Sequence, residues 1–373
     1  MPPLVLDLRG TEDTRDVVHR AVQALVEGKL VSFPTETVYT VAACALDESA
    51  VARLLDVTAR PADRPLTLAI KSAEEALDYL PAMDAMSQRL ARRCWPGPVT
   101  LVLRDQEPDS LLRQLPASVR QAVAPSGEVS LRVPGHEVVH DVLRLLAGPL
   151  TLTSACRQGE VEPVTAQEVV QSLGDSVALV VDDGRSRFAQ PASIVRVHDH
   201  KLELLRAGVV SEQILKRLSS LMILFVCTGN TCRSPMAEAL CRKLLAEKLG
   251  CPIGELEDRG IMVMSAGIAA MMGGRAAAEA MEVMSAEGVS LADHYSQPVT
   301  EQLIRQADLV LTMTRSHRLA TLAEWPQAAD RTKLLCRNGQ DVADPIGGTA
   351  DQYRRCAEQI KQELQAWIDE LDL

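Results

Sequence analysis

Across the first 220 residues, short apolar runs of strand length alternate with stretches whose apolar residues recur at helical spacing, and Gly or Pro marks most of the joins. The runs predict strands over residues 30–33, 66–70, 99–103, 129–133, 149–153, 177–181 and 194–197. The amphipathic stretches predict helices over 13–27, 50–57, 83–94, 136–147 and 166–173. Such alternation points to an α/β sheet rather than a sandwich or a bundle.

The pattern restarts near residue 220. A helical stretch over 211–218 runs into Ser219-Ser220, and Met222-Ile223-Leu224-Phe225-Val226 then reads as a strand buried on both faces. Two α/β domains are expected, 1–218 and 221–373, in keeping with 373 residues at about 150 per domain. The formal charge of -11, shared as -5 and -6 between the halves, leaves no global basic footprint for nucleic acid. Aromatics at 3% are too few for base-stacking platforms. The longest apolar run, 221–227, is too short to span a bilayer, and Met1-Pro2-Pro3-Leu4 lacks the basic flank of a signal peptide. Nine cysteines without metal-type spacing fit a reducing compartment. A cytoplasmic protein without a membrane partner is expected.

The sharpest chemical signal follows the strand at 222–226. Cys227-Thr228-Gly229-Asn230-Thr231-Cys232-Arg233-Ser234 is a C-x5-R loop, and a helix is predicted to open at Pro235. Backbone N–H groups of such a loop can curl around an anion, aided by the helix N-terminus. Arg233 adds a bidentate guanidinium for two phosphoryl oxygens. A thiol at Cys227 would sit among positive charge, conditions that favour thiolate, a competent nucleophile for phosphorus. No Gly-Lys-Ser/Thr follows, so the loop is not a Walker motif, and no second ligand pair or nearby histidine makes Cys227 and Cys232 a zinc site. No metal is expected. A phosphocysteine route also needs a general acid, and Asp344 in the Pro/Gly-rich stretch 342–348 is the candidate.

With Ser265-Ala266-Gly267, residues 307–313 and Asp344-Pro345, this loop resembles the low-molecular-weight protein phosphatases over 222–373. The resemblance implies a doubly wound parallel sheet. Cys227 would be the nucleophile, Arg233 the clamp, Asp344 the general acid, Ser234 the hydroxyl supporting the thiolate and Asn230 the loop's orienting residue. Thr228, Gly229, Thr231 and Cys232 would complete the phosphate and specificity loop, without a cofactor. The loop with Thr231 is similar to that of bacterial protein-arginine phosphatases, where tyrosine-directed members carry a bulky aliphatic residue, and Ile346-Gly347 follow the acid where tyrosine-directed members often place a tyrosine pair. A phosphoprotein substrate is implied, phosphoarginine before phosphotyrosine. An arsenate reductase on this scaffold would want a pair of relay cysteines, and none lies between Cys251 and Cys336.

In the first half, Pro34-Thr35-Glu36-Thr37-Val38-Tyr39 puts hydroxyls at a strand end, and 59–66 holds Arg60 and Arg64 in a Pro-stiffened loop. Together with Leu131-Arg132-Val133-Pro134, Thr153-Ser154-Ala155-Cys156, Ala192-Ser193-Ile194-Val195 and Leu204-Leu205-Arg206-Ala207-Gly208, these segments resemble the YrdC-like threonylcarbamoyl-AMP synthases over 10–210. The resemblance implies an open twisted α/β domain. It also implies synthesis of threonylcarbamoyl-adenylate from threonine, bicarbonate and ATP with magnesium, for modification of tRNA adenosine 37. Thr35 and Thr37 would lie at the threonine, and Arg60, Arg132, Ser154, Ser193 and Arg206 at the nucleotide. The pattern departs at Thr58, where the family has Lys, at Cys156, where it has Asn, and at Thr40-Val41, where it has Gly-Leu. A bifunctional fusion is therefore expected to be led by its phosphatase half, with synthase activity or a non-catalytic nucleotide- or RNA-binding role for the first half as alternatives.

Overall fold

In the computed structural model, which describes residues 2–11, 13–61, 64–199 and 201–371, the apolar runs of the first half pair into one ten-stranded mixed sheet. Met1 of the N-terminal segment, and Ala62 and Asp63 of the arginine loop, lie outside the described residues. The chain divides into two compact units, Met1–Ser219 and Ser220–Leu373.

The first unit's strands are β1 (Leu4–Asp7), β2 (Val31–Phe33), β3 (Thr40–Cys44), β4 (Thr67–Ala69), β5 (Val99–Arg104), β6 (Glu128–Arg132), β7 (Leu150–Ser154), β8 (Leu179–Asp182), β9 (Ser193–His198) and β10 (Lys201–Arg206). They lie in the order β1-β8-β2-β3-β7-β4-β6-β5-β9-β10. The seven expected strands are present within two residues at each end. β1, β3 and β10 were not anticipated. β1 and β10 are edge strands with much exposed surface, and β10 carries three charged residues, Lys201, Glu203 and Arg206, as edges commonly do. In β3, Ala42 packs with Val17, Leu25 and Val142 on one face of the sheet, while Val41 and Ala43 join Leu54, Leu68 and Leu131 on the other.

The second unit is a four-stranded parallel sheet of β11 (Leu221–Cys227), β12 (Ile261–Gly267), β13 (Leu309–Thr312) and β14 (Thr332–Leu334), in the order β12-β11-β13-β14. Ile223, Phe225 and Cys227 face the helices Arg233–Leu249 and Ala350–Glu370; Leu224 and Val226 pack with Ile304 and Trp325 on the opposite face. Helices therefore cover both faces, as a strand without polar alternation requires. The chain leaves β11 toward β12 on one side and returns to β13 on the other, so the C-terminal end of β11 is the switch point where open α/β sheets bind ligands. The helix after β11 starts at Arg233 with Cys232 as its cap, two residues before the expected start at Pro235. Pro235 is tolerated there because the first-turn N–H groups of a helix lack intrahelical partners in any case. Among the described residues no helix is long and apolar enough to cross a membrane.

Candidate active site

The loop between β11 and the helix Arg233–Leu249 closes around its own side chains. Cys227 Sγ lies 2.9 Å from Ser234 Oγ and accepts the Asn230 N–H at 3.2 Å. Asn230 adopts φ 56°, a left-handed conformation that Asn tolerates better than most residues. Fully buried, it ties the loop together: Nδ2 donates to Ser234 Oγ (3.0 Å) and Ser265 Oγ (2.8 Å), Oδ1 accepts the Gln297 N–H (2.9 Å), and its carbonyl accepts from His294 Nε2 (2.8 Å). Ser265 Oγ in turn donates to Glu238 at 2.7 Å, and burial pushes that carboxyl's pKa up.

Gly267 ends β12 against this loop. A Cβ there would meet Thr228 O at 2.4 Å and Asn230 N at 2.9 Å, so the Ser265-Ala266-Gly267 segment needs its glycine for close approach. Thr228 is held by the Ala269 N–H on its carbonyl (3.0 Å) and by His317 Nε2 at 2.8 Å from its hydroxyl. The other ring nitrogen of His317 lies 2.9 Å from Thr314 Oγ1. Burial, with Arg233 nearby, lowers the His317 pKa to about 4, so the ring is neutral at physiological pH.

These ties leave several of the loop's amides unused. Among the described residues the N–H groups of Gly229, Thr231, Cys232 and Arg233 have no protein acceptor, an arrangement suited to an anion. The Arg233 side chain is buried and donates from NH2 to Asp344 Oδ2 at 2.5 Å and from NH1 to Val342 O at 3.4 Å. Nucleophile, clamp and acid candidates thus converge from positions up to 117 residues apart in sequence. Thr231 Oγ1 is 3.6 Å from Cys232 Sγ, whose other neighbour is Tyr353 OH at 3.3 Å. His317, His294 and Tyr353 were not foreseen, because each reaches the loop from a remote element; nor was Glu238, which meets Ser265 from the helix that follows the loop.

In the first unit the expected residues separate into two groups. Thr35 and Thr37 join hydroxyls at 2.8 Å, and Arg132 donates to Thr37 Oγ1 (3.0 Å) and to Glu36 (2.7 Å), all buried. Arg132 therefore sits with the threonines, where the sequence reading had set it at the nucleotide. Arg60, Ser154 and Arg206 line a separate cavity of about 650 Å³ with Thr58, Arg64, Cys156 and Glu162. Cys156 offers a neutral thiol there, its pKa pushed up to about 11 by burial and by Glu162. Ser193 does not line this cavity: its buried hydroxyl bonds Val210 through both N–H and C=O.

A cysteine–arginine loop at the switch point of a parallel sheet defines a cysteine-dependent phosphatase scaffold. Residues 222–373 match the model of the low molecular weight phosphotyrosine protein phosphatases, and residues 23–208 match that of the Sua5/yciO/yrdC family, described as telomere recombination. The protein-arginine-phosphatase of Bacillus subtilis is 36% identical over 153 residues, 40% of this chain and 95% of its own. A putative threonylcarbamoyl-AMP synthase of Mycobacterium tuberculosis is 34% identical over 193 residues, 52% of this chain and 84% of its own. The threonylcarbamoyl-AMP synthase of Pyrococcus abyssi is 33% identical over 198 residues, 53% of this chain, which spans only 56% of that relative's length. A solved structure of a P. abyssi Sua5 variant covers 83% of this chain and 98% of its own at 22% identity and a TM-score of 0.52, a likeness of fold. The chain belongs to the low-molecular-weight protein phosphatase family in its C-terminal half and to the Sua5/YrdC family in its N-terminal half.

Proposed function

We propose that the C-terminal unit hydrolyses phosphorylated proteins through a phosphocysteine, with phosphoarginine preferred over phosphotyrosine. The observation that carries this is that one loop holds Cys227 against Ser234, leaves four amides without a protein acceptor and brings Arg233 to Asp344. The amides and Arg233 hold the non-bridging oxygens while Cys227 Sγ bonds to phosphorus and the substrate's P–N or P–O bond breaks. Once the phosphoryl group has taken its place on Arg233, Asp344 takes up a proton from solvent and passes it to the leaving nitrogen or oxygen. Asp344 then takes a proton from water as that water attacks phosphorus, the S–P bond breaks, and inorganic phosphate and thiolate result. Ser234 and the Asn230 N–H support the sulfur's charge throughout.

Thr231 at the rim supports the arginine preference, because a hydroxyl can hydrogen-bond a guanidinium where an aliphatic side chain cannot. The intact chain, assayed side by side, is expected to turn over phosphoarginine faster than phosphotyrosine, and Thr231→Ile to shift the ratio toward phosphotyrosine. An unchanged ratio would remove the argument for arginine.

A second reading concerns the N-terminal unit. Five arginines, Arg60, Arg64, Arg157, Arg196 and Arg206, line one cavity and favour a phosphate-bearing ligand there. ATP would be held by Arg60, Ser154 and Arg206, with threonine beside Thr35 and Thr37; bound ATP would supply the adenylyl group, magnesium accompanying it, for a carbamoylated threonine made with bicarbonate. Pyrophosphate release dependent on all three substrates tests it, and ligand binding without turnover would leave a regulatory domain instead of a synthase that serves tRNA.

A further inference from the structure

The cavity beside Arg60 and Arg206 already holds a carboxylate of the chain itself. Glu162, in the segment after β7, accepts hydrogen bonds on one oxygen from Ser154 Oγ at 2.6 Å and from Arg206 NH1 at 3.2 Å. Those donors are two of the five residues expected at the nucleotide, and two of the three that line this cavity. The third, Arg60, is turned onto the protein: Nε donates to Arg64 O (2.9 Å), NH2 to Pro65 O (2.8 Å), and NH1 to Thr153 Oγ1. The neighbouring carboxylate Glu160 is engaged elsewhere, accepting from Ser172 Oγ and the Arg157 N–H.

Charge explains why one carboxylate is retained there. Burial lowers the Arg60 pKa, Arg206 and Arg64 lower it further by repulsion, and Glu162 opposes them. Guanidinium groups this close are stabilised by an anion among them, and charge-assisted bonds to a carboxylate resemble those to a phosphate oxygen in geometry and strength. With Thr at 58 and Cys at 156, neither position adds a cation that could outweigh the carboxylate.

We propose that Glu162 is an internal anion that occupies the phosphate-binding donors of this cavity, so that a polyphosphate ligand must displace it to bind. The proposal rests on the reading of the cavity as a site for a phosphate-bearing ligand. Glu162 then decides the cavity's affinity for anions, and any event that draws this segment outward opens the site. Its side chain is about a quarter exposed, so it leaves without unpacking the core.

The test is calorimetric binding of inorganic tripolyphosphate, ATP and adenosine to the full chain, at low ionic strength and without divalent cations. An Arg233→Ala background removes the clamp of the second unit's phosphate loop, so that bound anion reports on the first unit. Glu162→Gln keeps an oxygen for Ser154 and Arg206 but removes the charge. It is expected to tighten tripolyphosphate and ATP at least tenfold over the parent while leaving adenosine unchanged. Adding Arg206→Ala should abolish the gain. Glu162→Ser, a shorter side chain with the same loss of charge, should reproduce it. Triphosphates bound no more tightly by either variant, or a gain that survives loss of Arg206, would overturn the proposal. Binding that is tight in every variant and indifferent to both Arg60→Ala and Arg206→Ala would place the polyanion elsewhere and overturn the reading of the cavity as well.

Discussion

Arg233 and Asp344 form an ion pair at 2.5 Å, with the guanidinium buried and the carboxylate half-exposed. The carboxylate is therefore the partner free to turn, and an arriving phosphoryl group competes with it for the same donors. Asp344→Asn is expected to lower kcat by roughly 10² to 10⁴, the usual worth of a positioned general acid. Product inhibition by inorganic phosphate should be retained or strengthened, because the competing charge is gone. Steady-state kinetics with added phosphate checks both.

Cys227→Ser keeps a side chain of similar size beside Ser234 but replaces the nucleophile. Turnover should vanish while the thermal melt of the second unit stays within a few degrees of the parent. Retained turnover would refute the phosphocysteine route.

Gly267→Ala places a methyl group 2.4 Å from Thr228 O. The obstacle is backbone, so the loop must shift, at a cost of about 1–3 kcal/mol. Activity should fall more than stability, since the same shift moves Thr228 and the amide of Asn230. Denaturant unfolding and kinetics on one preparation separate the two effects.

His317 links acidity to stability. Its pKa of about 4 in the folded chain lies below the ordinary value near 6.5, so the unfolded chain binds the proton more readily. The resulting stability is complete above about pH 6.5 and is lost as pH falls toward 4, by up to about 3 kcal/mol. His317→Asn should flatten that part of the pH profile. An unaltered acid limb in urea unfolding of the variant would show that other groups cause it.

The chemistry of the second half was readable because nucleophile, amide cradle and clamp lie within eight consecutive residues, whose spacing expresses one loop geometry. Asp344 was readable as a Pro/Gly-loop carboxylate, although only folding brings it to Arg233. The supports at His294 and His317 were not, because they contact the loop through tertiary packing that leaves no local periodicity. Strands with unbroken apolar runs were found, whereas β10, where Lys201, Glu203 and Arg206 interrupt the apolar residues without regular alternation, carries too little of either strand signal. Glu162 reads in isolation as one more loop acid, and only the distances to Ser154 and Arg206 give it a meaning.

The bonds that Asn230 makes to five neighbours have an evolutionary reach. Since the loop is moulded before any client docks, its shape owes nothing to which client that is. Selection can then redraw the outer residues, such as the exposed Met271, Met272 and Ile346, and reassign the enzyme to new targets without reopening the question of how phosphorus is handled.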